Sequence, residues 1–465
     1  MNLKLSEILQ ATGGTLVAAL PDDTVFTTVT TDSRRVAPGD LFVALRGANH
    51  DGHQFVAQAV AQGAACAIVD RLPDSPVRGG LVRVGDTLRA LGDLAGWSRA
   101  RSAMKVVGIT GSNGKTTTKE MVASICEAAP WRPPLNRVLK NEGNLNNLIG
   151  LPLTLLRLTG DEAVGVLEMG MNQPGEIARL TEIARPDFGV VLNVGRAHLQ
   201  GVGDLAGVAA AKGEMFTHLS ADATIAVNTD DPWVMKIAAP FAGRKIFFGS
   251  GGEVRAENVV DFGVDGVAFD LVIDGARRKV RLRLVGQHNV SNALAAAALA
   301  HAMGIPLDVI AGGLQTAAAP AMRMQVERLG NGVVLINDSY NANPSSVEVA
   351  LEALRHIPGR RVVVLGAMWE LGDESRRAHR EIGEHVGALG VHLLVTLGDL
   401  AEVIAAGALD AGVADAAVRR CATHEEAANA VLQNWQPGDV VLVKGSRAMK
   451  MEEVVRLLRG TAGSP

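Results

Sequence analysis

A glycine-rich turn joins the strand-like run Lys105–Thr110 to a helix-like run, and its residue types suit a nucleoside triphosphate. Glycines let the backbone close around phosphate oxygens, while successive amides and the helix N-terminus supply positive potential. Lys115 can reach the outer phosphates, and the Thr116 hydroxyl can hold Mg²⁺. The candidate triphosphate-binding residues are Gly111, Ser112, Asn113, Gly114, Lys115, Thr116 and Thr117.

This turn is a short variant of the usual phosphate loop. The usual pattern has a glycine five positions before Gly114, and Ile109 stands there instead. Thr110 and Gly111 therefore form the entry to the loop. A chance Gly-Lys-Thr in an ordinary strand-to-helix turn is disfavoured, because both the apolar strand and the helical run are present.

Polar residues that follow apolar strands are further candidates, since ligands of parallel sheets gather at strand carboxyl ends. Glu168 ends one such run and could bind Mg²⁺, although a solvated strand-end acid has the same pattern. His198 follows another, where a neutral imidazole could coordinate a metal or contact a phosphate. Lys212 lies in a helical run, where an ordinary surface lysine is the default interpretation.

Three polar clusters could contact the rest of a nucleotide and a second ligand. The asparagine-rich residues 136–152 include amides that can touch a polyanion without adding charge. His288, Asn289 and Asn292 start a helix, where capping explains one asparagine and a base or ribose contact explains the others. Residues 337–344 and 444–447 each follow a strand, which predicts a second ligand site.

These candidates need a multidomain α/β scaffold, and 465 residues suffice for three domains. We predict a small α/β N-terminal module at 1–84. A central phosphate-loop ATPase domain follows at 85–318, with a mostly parallel, doubly wound sheet. Glycine-punctuated alternating strands at 249–285 predict antiparallel hairpins appended to that sheet. A C-terminal Rossmann-like domain is expected at 319–465.

Composition narrows the class of ligand. A formal net charge of -4, with acids and bases spread along the chain, gives neither the basic footprint of a nucleic-acid binder nor a polybasic membrane anchor. Three separated cysteines fit neither a disulfide framework nor a zinc site, which favours a reducing cytoplasm. The first residues become polar too early for a signal peptide. We therefore expect a cytoplasmic protein that acts on small molecules.

The strings that carry these candidates resemble the muramyl ligases, the ATP-dependent amide-forming enzymes of peptidoglycan precursor synthesis. The short phosphate loop of that family has the form Thr-Gly-x-x-Gly-Lys-Thr, which residues 110–116 match. Within the family, the chain is most similar to the branch that joins D-alanyl-D-alanine to UDP-N-acetylmuramoyl-tripeptide. The resemblance runs from end to end, through residues 31–34, 38–47, 142–147, 168–170, 197–201, 211–214, 337–344 and 444–447.

The resemblance implies a role for each group of residues. Asn289 and either His288 or Asn292 would face the adenine, while Arg323 and Asp338 would reach the γ-phosphate and ribose from across a domain cleft. The UDP sugar would be bound by Thr31, Asp32, Ser33, Arg34, Arg46, Asn146 and Asn147. D-alanyl-D-alanine would be bound by Tyr340, Asn341, Lys444, Ser446 and Arg447.

The resemblance also implies two Mg²⁺ sites. Thr116 and Glu168 would hold one ion, and His198 with a carbamylated Lys212 would hold the other. Carbamylation would turn Lys212 from a cation into an anion, so the catalytic residues would be Lys115, His198 and Lys212. The reaction would pass through an acyl phosphate, in a monomer that binds only ATP and the two small-molecule substrates.

Three alternatives start from the same loop. A folylpolyglutamate synthase-like ligase shares the central domain, but it leaves residues 31–34 and 38–47 without a purpose. A GTPase switch would need Asn-Lys-x-Asp after a strand, whereas the nearest string is 228–231, Asn-Thr-Asp-Asp. A dinucleotide-dependent oxidoreductase would need Gly-x-Gly-x-x-Gly after the strand at 362–366, and that pattern is missing there.

Overall fold

The computed structural model describes residues 3–462 except Ala19, Asp22, 48–49 and 74–76. Within these residues the chain forms three consecutive α/β units, each built on a mainly parallel sheet. The predicted α/β class with a doubly wound central sheet is confirmed.

The N-terminal unit is a five-stranded sheet in the order β2-β7-β6-β5-β4, with β2 antiparallel to its neighbour. A two-stranded ribbon of β1 and β3 lies beside it. Its strands are β1 (Leu3–Lys4), β2 (Thr15–Ala18), β3 (Val25–Phe26), β4 (Val29–Thr30), β5 (Leu41–Val43), β6 (Cys66–Val69) and β7 (Gly80–Arg83). Its helices are α1 (Leu5–Thr12) and α2 (Val56–Ala61).

The central unit carries a nine-stranded sheet in the order β16-β15-β14-β13-β12-β11-β8-β10-β9. All strands from β8 to β14 run parallel to one another. The strands β14, β15 and β16 form the predicted antiparallel hairpins. They span β8 (Lys105–Thr110), β9 (Arg137–Lys140), β10 (Glu162–Glu168), β11 (Phe188–Val191), β12 (Thr224–Asn228), β13 (Arg244–Phe248), β14 (Val254–Asp261), β15 (Val267–Ile273) and β16 (Ala276–Leu282).

Helices pack on both faces of this sheet and bury alternate residues of its strands on opposite sides. Val106 joins the core under one helical layer, and Val107 joins the core under the other. The helices are α3 (Thr87–Ala100), α4 (Lys115–Ala128), α5 (Gly150–Leu155), α6 (Glu176–Ala184), α7 (Leu199–Val202), α8 (Leu205–His218), α9 (Pro232–Ala238), α10 (His288–Ala302) and α11 (Leu307–Thr316).

The edge strand β16 is unusually basic. Arg277, Arg278, Lys279 and Arg281 are all exposed along it, while Val280 and Leu282 are buried. Arg277 pairs with Glu257 at 2.7 Å, and Arg278 pairs with Asp308. The strand therefore packs its apolar side chains inward and presents cations at the sheet edge.

The C-terminal unit has a six-stranded sheet in the order β17-β18-β22-β19-β20-β21, parallel except for β17. Its strands are β17 (Gln325–Arg328), β18 (Val334–Asp338), β19 (Arg361–Gly366), β20 (Leu393–Leu397), β21 (Val418–Cys421) and β22 (Val440–Lys444). Its helices are α12 (Pro344–Arg355), α13 (Ser375–Leu389), α14 (Ala401–Asp410), α15 (His424–Leu432) and α16 (Glu452–Ala462).

The first two units share one apolar core. Leu91 and Leu94 of α3 are fully buried, and their cluster includes both Ile8 of the N-terminal unit and Val106 of the central sheet. None of the helices in the described part of the chain combines the length and the hydropathy that a bilayer crossing requires.

Candidate active site

A cleft of about 300 Å³ lies between the central and C-terminal units. The carboxyl ends of β8, β10 and β18 all reach it, as expected for parallel sheets. The predicted site residues that line it are Ser112, Asn113, Gly114, Lys115, Thr117, Asn146, Asn147, Glu168, His198, His288, Asn289, Asn292, Arg323, Asp338, Tyr340, Asn341 and Lys444.

The phosphate loop is bent by two glycines with positive φ. Gly111 has φ 152° and Gly114 has φ 84°, and α4 begins directly after Gly114. A Cβ at Gly114 would clash with Asn292 Oδ1, and the positive φ of this residue also favours glycine. Lys115 Nζ donates to Gly111 O at 2.7 Å and so folds over the loop. This conformation presents the first amides of α4 to the cleft.

A second loop, at the end of β11, holds the phosphate loop in shape. The Asn113 N–H donates to Asn193 Oδ1 at 2.9 Å, and Asn193 Nδ2 donates back to Asn113 O at 3.1 Å. The Gly195 N–H donates to Ser112 Oγ at 2.8 Å. These bonds fix the loop before any ligand binds, which lowers the cost of ordering it on binding.

Glu168 is the buried acid of the site, with 2% of its surface exposed. Its Oε2 accepts a hydrogen bond from Thr116 Oγ1 at 2.8 Å, and its Oε1 accepts one from Asn146 Nδ2 at 2.7 Å. A carboxylate and a hydroxyl oxygen at the foot of a phosphate loop are hard donors of the kind that Mg²⁺ prefers. The predicted ligand pair is therefore adjacent and chemically suitable.

Lys212 is buried and Lys115 is half-buried at the wall of the cleft, and the loss of solvent lowers the pKa of each amine. For Lys115 the carboxylate of Glu168 opposes this effect, while the Arg323 cation adds to it. For Lys212 the pKa falls well below its usual value, and the neighbouring Lys115 cation lowers it further. Among the described residues no carboxylate opposes the effect of burial on Lys212, so its ammonium form is disfavoured.

His198 faces the C-terminal unit. It has φ 56°, and its Nδ1 lies 2.8 Å from Glu370 Oε2. Hydrogen bonding to His198 lowers the pKa of Glu370. In the described residues, no three His, Cys, Asp or Glu side chains gather into a metal cluster. A second metal set at His198 would therefore need a ligand of another kind.

His288, Asn289 and Asn292 form one polar corner at the start of α10. Asn289 Nδ2 donates to Val285 O at 2.8 Å, and its Oδ1 accepts from Asn292 Nδ2 at 3.0 Å. Burial lowers the pKa of His288 to about 4. The imidazole is therefore neutral at neutral pH, and its nitrogens can read a neutral base.

The wall formed by the C-terminal unit carries two paired cations. The Arg323 guanidinium stacks 4.1 Å above the centre of the Tyr340 ring. Lys444 Nζ lies 2.6 Å from Asp338 Oδ2 and also donates to Asn341 O at 3.0 Å. Arg323 and Lys444 are thus held toward the cleft.

Ser446 and Arg447, predicted for the same ligand, stand outside the cleft lining. Ser446 Oγ accepts from the Trp369 N–H at 2.9 Å, and Arg447 pairs with Glu452 at 2.8 Å. Both side chains are engaged in local structure.

The residues predicted to bind the UDP sugar fall into two places. Asn146 and Asn147 line the central cleft, whereas Thr31, Asp32, Ser33, Arg34 and Arg46 lie in the N-terminal unit, outside the cleft lining. There, a two-bond contact with Arg34 at 2.8 Å lowers the pKa of Asp32 to about 2.

Arg46 belongs to a charged chain in the same unit. It pairs with Asp70 at 2.5 Å, and Asp70 lies 3.1 Å from Nε2 of the buried His53. The other ring nitrogen of His53 lies 2.7 Å from Asp51. This chain fixes the direction of the Arg46 side chain.

The structure shows contacts that were not predicted for their residues. Asn193 holds the phosphate loop, and Asn343 Nδ2 reaches Asn113 Oδ1 at 3.1 Å from the C-terminal unit. Arg196 pairs with Glu348 at 2.9 Å and Glu381 at 2.5 Å, also across the domain boundary. Their positions after strands were visible in the sequence, but their partners are 80 to 230 positions away.

Three family models match the chain in order. They are the Mur ligase family catalytic domain at residues 25–95, the Mur ligase middle domain at 109–300 and the Mur ligase glutamate ligase domain at 322–447. The UDP-N-acetylmuramoyl-tripeptide–D-alanyl-D-alanine ligase of Escherichia coli strain K12 is 37% identical over 462 residues, which cover 99% of both chains. The chain belongs to the Mur ligase family. The resemblance drawn from the sequence is confirmed.

Solved Mur ligase structures agree over the whole length. MurF from Acinetobacter baumannii superposes with a TM-score of 0.90 at 34% identity, covering 99% of each chain. MurF from Thermotoga maritima, solved in complex with ADP, gives a TM-score of 0.83 at 30% identity and covers 93% of this chain and 97% of its own.

Proposed function

We propose that the protein is an ATP-dependent ligase of peptidoglycan precursor synthesis that joins D-alanyl-D-alanine to UDP-N-acetylmuramoyl-tripeptide. The observation that carries the proposal is the cleft, in which the phosphate loop faces Arg323 and Lys444 of another unit. The Escherichia coli relative that matches the whole chain carries the name of this activity. ATP binding is further supported by the ADP complex of the Thermotoga maritima structure.

The chemistry needs a better leaving group than oxide on the tripeptide carboxylate. A carboxylate oxygen attacks the γ-phosphorus of ATP, the bond to the β-γ bridging oxygen breaks, and ADP leaves an acyl phosphate. Lys115 and the N-terminus of α4 stabilise the charge on the transferring group. Arg323, held on Tyr340, supplies a further cation from the other wall. The dipeptide amine then attacks the acyl carbon, loses a proton and expels phosphate.

Thr116 and Glu168 are the residues that would hold one Mg²⁺, which supplies charge stabilisation to the phosphoryl oxygens when bound. Their oxygens lie 2.8 Å apart, in a buried place beside Lys115. Asn146 orients the second oxygen of the carboxylate. The donor set therefore fits a hard divalent cation.

Lys212 would serve the second Mg²⁺ as a carbamate, together with His198. A neutral amine attacks CO₂ and releases one proton, and the product bears a negative charge. Burial lowers the pKa of Lys212, which favours the neutral, nucleophilic amine that this reaction needs. The Lys115 cation that disfavours an ammonium at this position would favour the carbamate anion.

Each unit takes a part of the substrate in this proposal. The unit at 1–84 would hold the UDP sugar through Thr31, Asp32, Ser33, Arg34 and Arg46, and the unit at 85–318 would hold ATP. The unit at 319–465 would present D-alanyl-D-alanine through Tyr340, Asn341 and Lys444, with Ser446 and Arg447 recruited on closure. Because one chain carries all three parts, we propose a monomeric enzyme in the cytoplasm.

A substrate-omission assay tests the proposal. Purified protein with ATP, Mg²⁺, UDP-N-acetylmuramoyl-tripeptide and D-alanyl-D-alanine should release phosphate and form the pentapeptide product, and omission of either peptide substrate should abolish product. Tripeptides that end in lysine and in diaminopimelate should both be supplied. Phosphate release that depends instead on tetrahydrofolate and glutamate would overturn the assignment.

A further inference from the structure

The backbone of Glu168 is hydrogen-bonded to a side chain that occupies the position of a residue in the neighbouring strand. β9 ends at Lys140, which is paired with Val166, two residues before Glu168. Asn141 then accepts the Glu168 N–H on Oδ1 at 3.0 Å and donates from Nδ2 to Glu168 O at 2.9 Å. In a parallel ladder the N–H and C=O of such a residue bond to two successive peptide groups of the neighbouring strand. Here the single Asn141 carboxamide serves both groups of Glu168, just beyond the end of β9.

The helix that follows the phosphate loop, α4, holds Asn141 in place. The Asn141 backbone oxygen accepts a hydrogen bond from Lys119 Nζ at 2.6 Å, and its Nδ2 also donates to Leu145 O at 2.9 Å. Asn141 and Lys119 are each 2% exposed. Glu120 lies 3.0 Å from Lys119 Nζ and compensates its charge.

The helix α4 thus reaches Glu168 by two routes. Thr116 contacts the carboxylate directly, and Lys119, one turn later on α4, reaches the Glu168 backbone through Asn141. These two sets of contacts fix both the backbone and the carboxylate oxygens of Glu168 relative to the phosphate loop. The mechanism above uses Thr116 and Glu168, but it gives no task to Lys119 or Asn141.

We propose that Asn141 and Lys119 are positioning residues that set the orientation of the Glu168 carboxylate and thereby the affinity of the nucleotide site for Mg²⁺. The inference rests on the proposed function, in which Glu168 is a metal ligand. Residues that orient metal ligands typically change metal affinity by about 10- to 100-fold when they are lost. Without the Asn141 amide, the strand end that carries Glu168 has one ordered neighbour, β8, in place of two.

The test measures ADP binding by calorimetry while Mg²⁺ is varied, with a parallel series in EDTA. Asn141→Ala removes the carboxamide, and Lys119→Met keeps the side-chain length but removes the donor. Asn228→Ala is the matched control, because that buried amide also ends a strand of the same sheet and bonds to Leu192 O, away from Glu168. Glu168→Gln is the reference for loss of the ligand itself.

We expect the half-saturating Mg²⁺ concentration to rise about 10-fold or more in Asn141→Ala and by a smaller factor in Lys119→Met, with ADP affinity in EDTA unchanged. Amide hydrogen exchange at Glu168 should accelerate in Asn141→Ala, because its N–H loses its acceptor. Lys119→Met reports independently if Asn141→Ala does not fold.

The outcomes separate the two levels of the proposal. If both variants keep the parent Mg²⁺ dependence while Glu168→Gln loses it, the positioning role is wrong and the metal site stands. If Glu168→Gln leaves the Mg²⁺ dependence intact, the assignment of Glu168 in the proposed function fails, and the inference fails with it. An equal effect of Asn228→Ala would reduce the role to general stability of the sheet and would also refute it.

Discussion

Removing one partner of the buried ion pair between Lys444 and Asp338 should strongly destabilise the C-terminal unit. Nζ and Oδ2 are 2.6 Å apart, and the side chains are 3% and 11% exposed. In Lys444→Met the Asp338 carboxylate stays buried without its cation. Breaking a buried pair in this way costs about 3–5 kcal/mol. The Met324 N–H, which donates to Asp338 Oδ1 at 3.1 Å, is the main remaining partner of that carboxylate.

The expected shift follows from the size of the unit. For about 150–250 residues, 1 kcal/mol changes the Tm by roughly 2–4 °C, so Lys444→Met should lower the Tm of this unit by about 6–20 °C. Scanning calorimetry of the ligand-free protein measures it. The control is Arg447→Met, which breaks an ion pair whose arginine is 55% exposed; such pairs contribute below about 1 kcal/mol. The double variant Lys444→Met/Asp338→Asn should recover most of the loss, since no charge is then stranded.

Two results would refute this reasoning. One is a Tm of Lys444→Met that falls no further than that of Arg447→Met, because the buried pair would then be equivalent to an exposed one. The other is a double variant as unstable as Lys444→Met, because the cost would then come from lost packing around the lysine stem and not from an unpaired carboxylate.

Three further predictions concern the nucleotide and the metals. Gly114→Ala should weaken ADP binding about 10-fold or more in calorimetry, since its Cβ would displace Asn292 and its φ of 84° disfavours alanine; unchanged affinity would contradict the close fit. The pKa of His288 is about 4 in the folded protein and ordinarily 6.5, so this residue contributes stability above pH 6.5 that is lost as the pH falls toward 4. The Tm of His288→Asn should therefore fall less steeply than that of the parent over this pH range. Parallel plots of Tm against pH for the two proteins would count against a lowered pKa of the imidazole. Lys212→Ala should lose at least about 100-fold in turnover, lack the carbamate signal seen by NMR with ¹³C-labelled CO₂, and regain part of its activity with short-chain carboxylates. The control variant Lys236→Ala should behave as the parent. Retained turnover of Lys212→Ala without added carboxylate would exclude the carbamate.

The parallel core of the fold could be predicted from sequence because its strands are buried on both faces. Val362, Val363 and Val364 of β19 are all fully buried, and this makes a continuous apolar run. β17 and β21 were not predicted. They lie at the two edges of the C-terminal sheet, and their sequences, Gln-Val-Glu-Arg and Val-Arg-Arg-Cys, carry too little apolar periodicity to indicate a strand.

One part of the site can likewise be predicted from contiguous sequence, whereas the other part depends on contacts between residues that are distant in the sequence. The phosphate loop is contiguous in sequence, so its residue types and spacing predict its fold and its ligand. The contacts of Asn141 with Glu168 and of His198 with Glu370 join residues 27 and 172 positions apart. An asparagine or a glutamate after a strand gives no sign of its partner, because the pairing depends on how the strands and domains assemble.

The basic edge of the central sheet has a consequence for the behaviour of the protein at high concentration. Among the described strands β16 has a neighbour on one side only, and the backbone donors and acceptors of its other side form a template for edge-to-edge joining of two molecules. Two copies meeting there would bring Arg277, Lys279 and Arg281 of each molecule against those of the other. The repulsion keeps nine strands from growing into an intermolecular sheet. The row of cations therefore disfavours strand pairing between molecules at the β16 edge, one of the two edges of the largest sheet.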